Sequence, residues 1–181
     1  MILWNICNLL MTTPILFSNL QTGLIFLLRK KESTDYEVAL KWLIDHIKKK
    51  GQNSKKTIVY CSSIDKVSET FMTLKDSLGL HAYLYQIKHP QNILVEMFHK
   101  STYQDSKDRI ISEVKSNNST IRCLVATVAL GMGLDIRDVD LIVHVGCPKS
   151  ALSYWQEAGR CARDGRNGFS LILYDHTSLY L

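Results

Sequence analysis

An α/β fold, a mostly parallel sheet flanked by helices, is what this sequence predicts, and two observations predict it. Short apolar, β-branched runs alternate with segments whose apolar residues recur at helical spacing. The runs are also continuously apolar, as in Thr57-Ile58-Val59-Tyr60-Cys61 and Leu141-Ile142-Val143-His144-Val145. Such strands need cover on both faces, and in parallel sheets helices supply it. Composition agrees: 46% hydrophobic and 22% charged residues over 181 positions match globular chains and exclude a disordered tail or a collagen-like repeat. A chain of this length buries roughly 70% of its unfolded surface, enough for a core of its own.

The first stretch, Met1 to Leu28, is apolar but interrupted by Asn5, Asn8, Thr12, Thr13, Pro14, Ser18, Asn19, Gln21 and Thr22. A membrane span wants about 18 uninterrupted apolar residues, so none is expected. No charged residue precedes Arg29, so the basic lead of a secretory signal is lacking too. Residues 1–22 read as a poorly defined N-terminal segment of a chain that begins within a longer protein, and 23–181 as one domain.

Gly23 to Leu28 opens that domain as a buried strand. Thr34-Asp35-Tyr36-Glu37 is a capping box, a hydroxyl followed three residues on by a carboxylate. The helix it opens places Val38, Trp42, Leu43 and Ile47 on one face, with Trp42 as core packing. It closes at Lys48-Lys49-Lys50-Gly51, cations on the negative end of the dipole and glycine beyond. Together with Lys55 and Lys56 those lysines read as a solvated basic turn. Thr57 to Cys61 is the next strand, and Ser62 is expected to cap a helix bearing Val67, Phe71, Leu74 and Leu78 that stops at Gly79.

His81 to Tyr85 reads as a third short strand, and Lys88 to Asn92 as a loop. Thr102 opens a helix carrying Ile110, Ile111 and Val114. Ile121 to Thr127 and Leu141 to Val145 are strands, Ser150 starts a helix that reaches about Gly159, and Phe169 to Tyr174 is the last strand. His81 and His144 fall in strand patterns and read as core or sheet-face residues.

The five cysteines, Cys7, Cys61, Cys123, Cys147 and Cys161, are odd in number and never spaced CxxC. Zinc is therefore not expected, and Cys61 and Cys123 read as reduced, buried thiols of an intracellular protein. There are 22 basic and 17 acidic side chains, a net +5 that is compatible with a polyanion partner. Gly-Lys never occurs, so no phosphate loop exists, and no Asp-Glu pair, GxSxG or HExxH is present.

Two stretches remain as candidates for chemistry. In Val125-Ala126-Thr127-Val128-Ala129-Leu130-Gly131-Met132-Gly133-Leu134-Asp135 a strand runs into a loop with two glycines and an aspartate. Thr127 can donate to a phosphate and Asp135 can accept from a ribose; equally, the glycines make a turn that Asp135 caps. In Gln156-Glu157-Ala158-Gly159-Arg160-Cys161-Ala162-Arg163-Asp164-Gly165-Arg166 two arginines lie three apart. Paired guanidiniums suit a triphosphate; equally, they make a charged helix end, with Arg163 paired to Asp164 or Glu157.

Taken in order, these stretches resemble motifs V and VI of superfamily 2 helicases, and the Gly-Met-Gly core with Gln-Glu-x-Gly-Arg-x-x-Arg-Asp-Gly is most similar to the RecQ family. Thr57 to Ser63 resembles that family's motif IV, Phe98 to Thr102 its next block, and Cys147-Pro148-Lys149-Ser150 its lead into motif VI. The likeness runs from about Tyr36 to Asp175.

The resemblance implies the second RecA-like lobe of an ATP-dependent 3′→5′ DNA helicase. Arg160 and Arg163 would be arginine fingers. Gly133, Asp135 and Gln156 would serve the nucleotide, and Thr127, Ser62 and His99 the phosphates of single-stranded DNA. ATP would come with magnesium held by a first lobe, acting in cis or in trans. Single-stranded or forked DNA would be the partner, with work in DNA repair and recombination in the nucleus.

Departures are few. Arg160-Cys161-Ala162-Arg163 stands where relatives have Ala-Gly-Arg, the Tyr85 to Val95 segment is longer than in bacterial relatives, and the chain stops at Leu181, before their zinc module and winged helix. The isolated chain is expected not to hydrolyse ATP. The competing expectations are a non-enzymatic module that binds nucleic acid or a partner, and an inactive truncated copy.

Overall fold

A computed structural model describes residues 16–19, 24–30, 36–116, 118–127, 136, 138–161 and 168–174, with side chains from residue 36 onward. Seven strands and four helices follow in the order β1 (Leu16–Asn19), β2 (Leu24–Lys30), α1 (Tyr36–Lys50), β3 (Thr57–Cys61), α2 (Ile64–Leu78), β4 (Val95–Phe98), α3 (Gln104–Lys115), β5 (Cys123–Thr127), β6 (Leu141–Val145), α4 (Ala151–Ala158) and β7 (Gly168–Tyr174). They form one sheet in the order β1-β2-β7-β6-β3-β5-β4. Every pairing is parallel except β1 with β2. The expected strand boundaries hold to within two residues at β2, β3, β5, β6 and β7.

Handedness sorts the helices. Crossovers between parallel strands are right-handed, so those that travel toward β4 share one face and those that travel back share the other. α1 and α2 do the first. Their buried Leu40, Leu43, Ile44, Ile47, Val67, Phe71, Leu74 and Leu78 pack on Val59, Cys61, Val125, Val143 and Leu173. α3 and α4 do the second, with Ile110, Val114, Tyr154 and Ala158 over Ile58, Tyr60, Leu124, Ala126, Ile142 and Ile172. Successive residues of each strand thus feed opposite cores, as the period of two requires. Each large side chain removed from water this way contributes about 1.5–3 kcal/mol.

Several expectations need correction. The N-cap of α2 is Ser63, not Ser62: its side chain accepts from Lys66 N, because Ser62 still completes the exit from β3. Val38 is 59% exposed; Leu40, Leu43, Ile44 and Ile47 set the buried arc of α1, and Val38 falls outside it. Trp42 is half-buried against the core, its Nε1 donating to the Ala39 carbonyl at 3.1 Å.

His81 to Tyr85 is not a strand. Short 3₁₀ turns at Gly79–Ala82 and Leu84–Gln86 replace it, and Tyr85 and Gln86 both have left-handed φ, 54° and 58°, which no strand accommodates. His81 is accordingly exposed. The strand in this part of the chain is β4, whose Glu96 hides it from an apolar scan; on the sheet edge that carboxylate meets Arg109 at 2.7 Å. Thr102 does not cap α3. Its hydroxyl accepts from His99 N at 3.0 Å, and Tyr103, the N-cap, makes no side-chain cap. Ser150 does cap α4, accepting from Ser153 N at 3.1 Å. The capping box at Thr34 lies outside the described residues.

Candidate functional site

Sheet order creates the crevice. From β3 the chain moves to β4 and β5 on one side, then crosses to β6 on the other. The switch point lies between the carboxyl ends of β3 and β6, where open parallel sheets bind ligands. A hollow of about 20 Å³, roughly room for one water, lies there, lined by Tyr60, Cys61, Ser62, His144, Val145, Gly146, Cys147, Pro148, Lys149 and Glu157. Gly146 turns the chain out of β6 with φ 96°, a left-handed angle that glycine takes without strain.

Along the same rim Cys61 stands in register with Thr127 on one side and Val145 on the other, and Phe98 with Ala126. Adjacent strands are about 4.8 Å apart, so the rim brings Ser62, Thr127 and His99 into one row. Their access differs. Ser62 is exposed, whereas Thr127 and His99 are each 9% exposed. His99 is held in place, its Nδ1 accepting from Ser101 N at 3.2 Å.

Arg160 is not in that row. α4 starts at the rim and runs back along the sheet for eight residues, about 12 Å at helical rise. Arg160 follows its far end, 6% exposed, with its backbone N donating to the Glu157 carbonyl at 3.2 Å. Residues just after the first candidate stretch meet the second there. Cys161 bridges Val139, its Sγ donating to the Val139 carbonyl at 3.3 Å, and Ile136 joins the same core cluster as Ala158 and Cys161. Gln156 is exposed on α4. Gly133, Asp135 and Arg163 lie outside the described residues.

Lys56 was read from the sequence as solvated, and it is buried at 3%. Its Nζ donates to the Val114 carbonyl and to Asp138 Oδ1, both at 2.8 Å, and its backbone N donates to Asp140 Oδ2 at 2.9 Å. A buried ammonium needs acceptors of this kind. The bonds to Asp138 and Asp140 pin the segment that leads into β6. No sequence signal separates Lys56 from Lys55, whose Nζ reaches Asp140 Oδ1 at 3.4 Å from an exposed position. Only the fold decides which lysine turns inward.

Glu157 also escaped the sequence reading as a buried group, although helical spacing was a usable signal: it shares the inner face of α4 with Tyr154 and Ala158. Its Oε2 lies 2.7 Å from Nε2 of His144, which is buried on β6 as expected. Tyr60 stacks on the imidazole and Tyr154 tilts against it, at ring-centre distances of 5.5 and 5.2 Å. The Tyr154 hydroxyl donates to Ser170 Oγ at 3.1 Å, and burial pushes that phenol up to about 12.

Burial also raises the Cys61 thiol to about 11 and the Cys123 thiol to about 12, from an ordinary 9.0. Folding therefore favours the protonated thiols. Their contribution is complete below about pH 9 and is lost as pH climbs through the folded values. Thermal melts in reducing buffer are expected to fall progressively above about pH 9. In the same fold, a thiol reagent at neutral pH should modify half-buried Cys147 before Cys61, Cys123 or Cys161. Mass spectrometry of the adducts checks the order.

Among the described residues no group of three or more His, Cys, Asp or Glu side chains is placed to hold a metal, and no helix is long and apolar enough to cross a membrane. The donor set at the far end of α4, an arginine guanidinium, fits phosphate oxygens rather than a cation.

Residues 38–165 match the helicase conserved C-terminal domain family. The chain is 33% identical over 146 residues to the RecQ-like DNA helicase blm-1 of Caenorhabditis elegans, covering 79% of this chain and 13% of that protein. It is 32% identical over 119 residues to the ATP-dependent DNA helicase hus2/rqh1 of Schizosaccharomyces pombe, covering 66% of this chain and 8% of that one. Among solved structures it resembles Mss116p bound to single-stranded RNA and AMP-PNP, with a TM-score of 0.66, 19% identity, and coverage of 88% of this chain and 28% of the other. That likeness is one of fold.

Proposed function

The chain belongs to the helicase conserved C-terminal domain family and is a RecQ-like second lobe with a RecA-like fold, and from that premise we propose that it serves as the second lobe of an ATP-dependent 3′→5′ DNA helicase. The carboxyl rim, with Ser62, Thr127 and His99, is the track for the phosphates of single-stranded or forked DNA. Arg160, at the far end of α4, and Arg163 face the γ-phosphate of ATP, while Gly133, Asp135 and Gln156 serve the rest of the nucleotide. A first lobe, in cis or in trans, contributes the phosphate loop and the magnesium ligands, so the 181-residue chain by itself turns over no ATP. Its work is in nuclear DNA repair and recombination.

One observation supports this reading: residues more than twenty apart in sequence, Val139 and Cys161, pair at the amino end of the sheet, where α4 ends. That pairing sets Cys161, next to Arg160, beside Val139, four residues after Asp135 in sequence, as a nucleotide held by both motifs requires. The outward side of α4 fits a neighbouring first lobe too. Leu152 and Trp155 are 68% and 54% exposed, apolar surface of the kind a neighbouring lobe covers. ATP, when bound, supplies the free energy of phosphate cleavage; Arg160 and Arg163 stabilise the charge that develops on the transferred group.

Fluorescence anisotropy with labelled single-stranded DNA tests the rim. The chain is expected to bind with a micromolar Kd that weakens about tenfold between about 50 and 200 mM salt, as two or three phosphate contacts dictate. An absence of binding at about 50 mM salt removes the rim from the reading. A Kd that ignores salt points to a different kind of partner.

A further inference from the structure

The pair formed by His144 and Glu157 has no part in the account above, and we infer that it is a positioning pair, one that passes the arrival of a nucleic-acid strand at the carboxyl rim to α4, an inference that rests on the second-lobe reading. His144 belongs to β6, directly before Val145 at the rim, and its ring lines the hollow together with Ser62, Gly146 and Lys149. Glu157 belongs to α4, beside Gln156 and three residues before Arg160. The 2.7 Å bond between Nε2 and Oε2 therefore joins the rim to the helix that leads to the arginine.

The imidazole is not free to swing. Tyr60 lies against it with ring planes 24° apart, and Tyr154, itself bonded to Ser170, closes the other approach at 57°. A displacement of the β6 end has to move Glu157 with it. His144 Nδ1 is buried with no hydrogen-bond partner among the described residues. The hollow that His144 lines has room for about one water.

Stability gives no reason for the pair. Well-packed apolar side chains in place of both members of a buried polar pair are often neutral or stabilising. The other buried positions of α4, Tyr154 and Ala158, are largely apolar in character, and a leucine at 157 fits their pattern.

Hydrogen exchange of the 181-residue chain with and without single-stranded oligothymidylate tests the inference. In the wild type, bound DNA is expected to slow exchange of the amides of Tyr154 to Arg160 about fivefold or more. The double variant His144→Leu/Glu157→Leu is expected to melt within a few degrees of wild type and to bind the DNA within about threefold, yet to show no slowing along α4. Glu157→Gln, which keeps a hydrogen bond to Nε2, is expected to retain most of the effect. A purely structural pair would shift melting and DNA affinity together and would not be rescued selectively by glutamine. Persistence of the α4 response in the double variant, or its absence in a wild type that binds DNA, overturns the pair's role while leaving the rim intact. A wild type that binds no DNA overturns the rim and the pair's role with it.

Discussion

Arg160→Ala is expected to lower DNA-stimulated ATP turnover by about 10³-fold or more when this lobe works with its first lobe. As charge spreads onto the γ-phosphoryl oxygens, a guanidinium offers planar, permanently charged donors that cost no reorganisation at that moment. A factor of 10³ corresponds to about 4 kcal/mol of barrier. The loss belongs in kcat rather than KM, because the interaction strengthens as the bond breaks.

Arg160→Lys keeps the charge without the fork and is expected to recover only part of the rate. Arg160 is 6% exposed, so its truncation also disturbs packing. A melt and a DNA-binding curve on the same variant separate the two effects, since the rim lies at the other end of α4. ATP turnover within about tenfold of wild type, with the fold intact, removes Arg160 from the catalytic role.

The largest expected loss of stability comes from His144→Ala, about 3 to 5 kcal/mol. Glu157 would be left 5% exposed, without the imidazole that bonds its Oε2. The vacated ring space between Tyr60 and Tyr154 adds a cavity term. For a domain of this size the melting temperature should fall by about 10 °C. His144→Leu/Glu157→Leu, which removes both polar partners together, should lie within about 1.5 kcal/mol of wild type. Equal losses in the single and double variants would mean that packing alone, rather than an orphaned polar group, sets the cost.

Much of the fold was legible in the residues. β3, β5, β6 and β7 are continuous apolar runs because parallel strands in the middle of a covered sheet have no solvent face. The inner face of α2 reads directly from Val67, Phe71, Leu74 and Leu78. Two of the misreadings share one cause. His81 to Tyr85 has strand-forming side chains, yet the left-handed backbone at Tyr85 and Gln86 is set by how the chain reaches β4. β4 carries Glu96, whose partner Arg109 is thirteen residues away. Propensity sees neither relation, because both are settled by neighbours distant in sequence.

By itself the sequence determined the fold class, the order of its central elements and the family. These depend on periodicity and on short motifs such as Gln156-Glu157-Ala158-Gly159-Arg160, whose spacing is a property of the chain. Only the tertiary structure decided that Ser62, Thr127 and His99 share one rim while Arg160 stands at the other end of α4, that Lys56 rather than Lys55 is buried, and that Glu157 binds His144. The reason is electrostatic as much as geometric. Whether a polar side chain ends in water or in a low-dielectric interior depends on which distant groups arrive to bond it, and strand order alone brings those groups together.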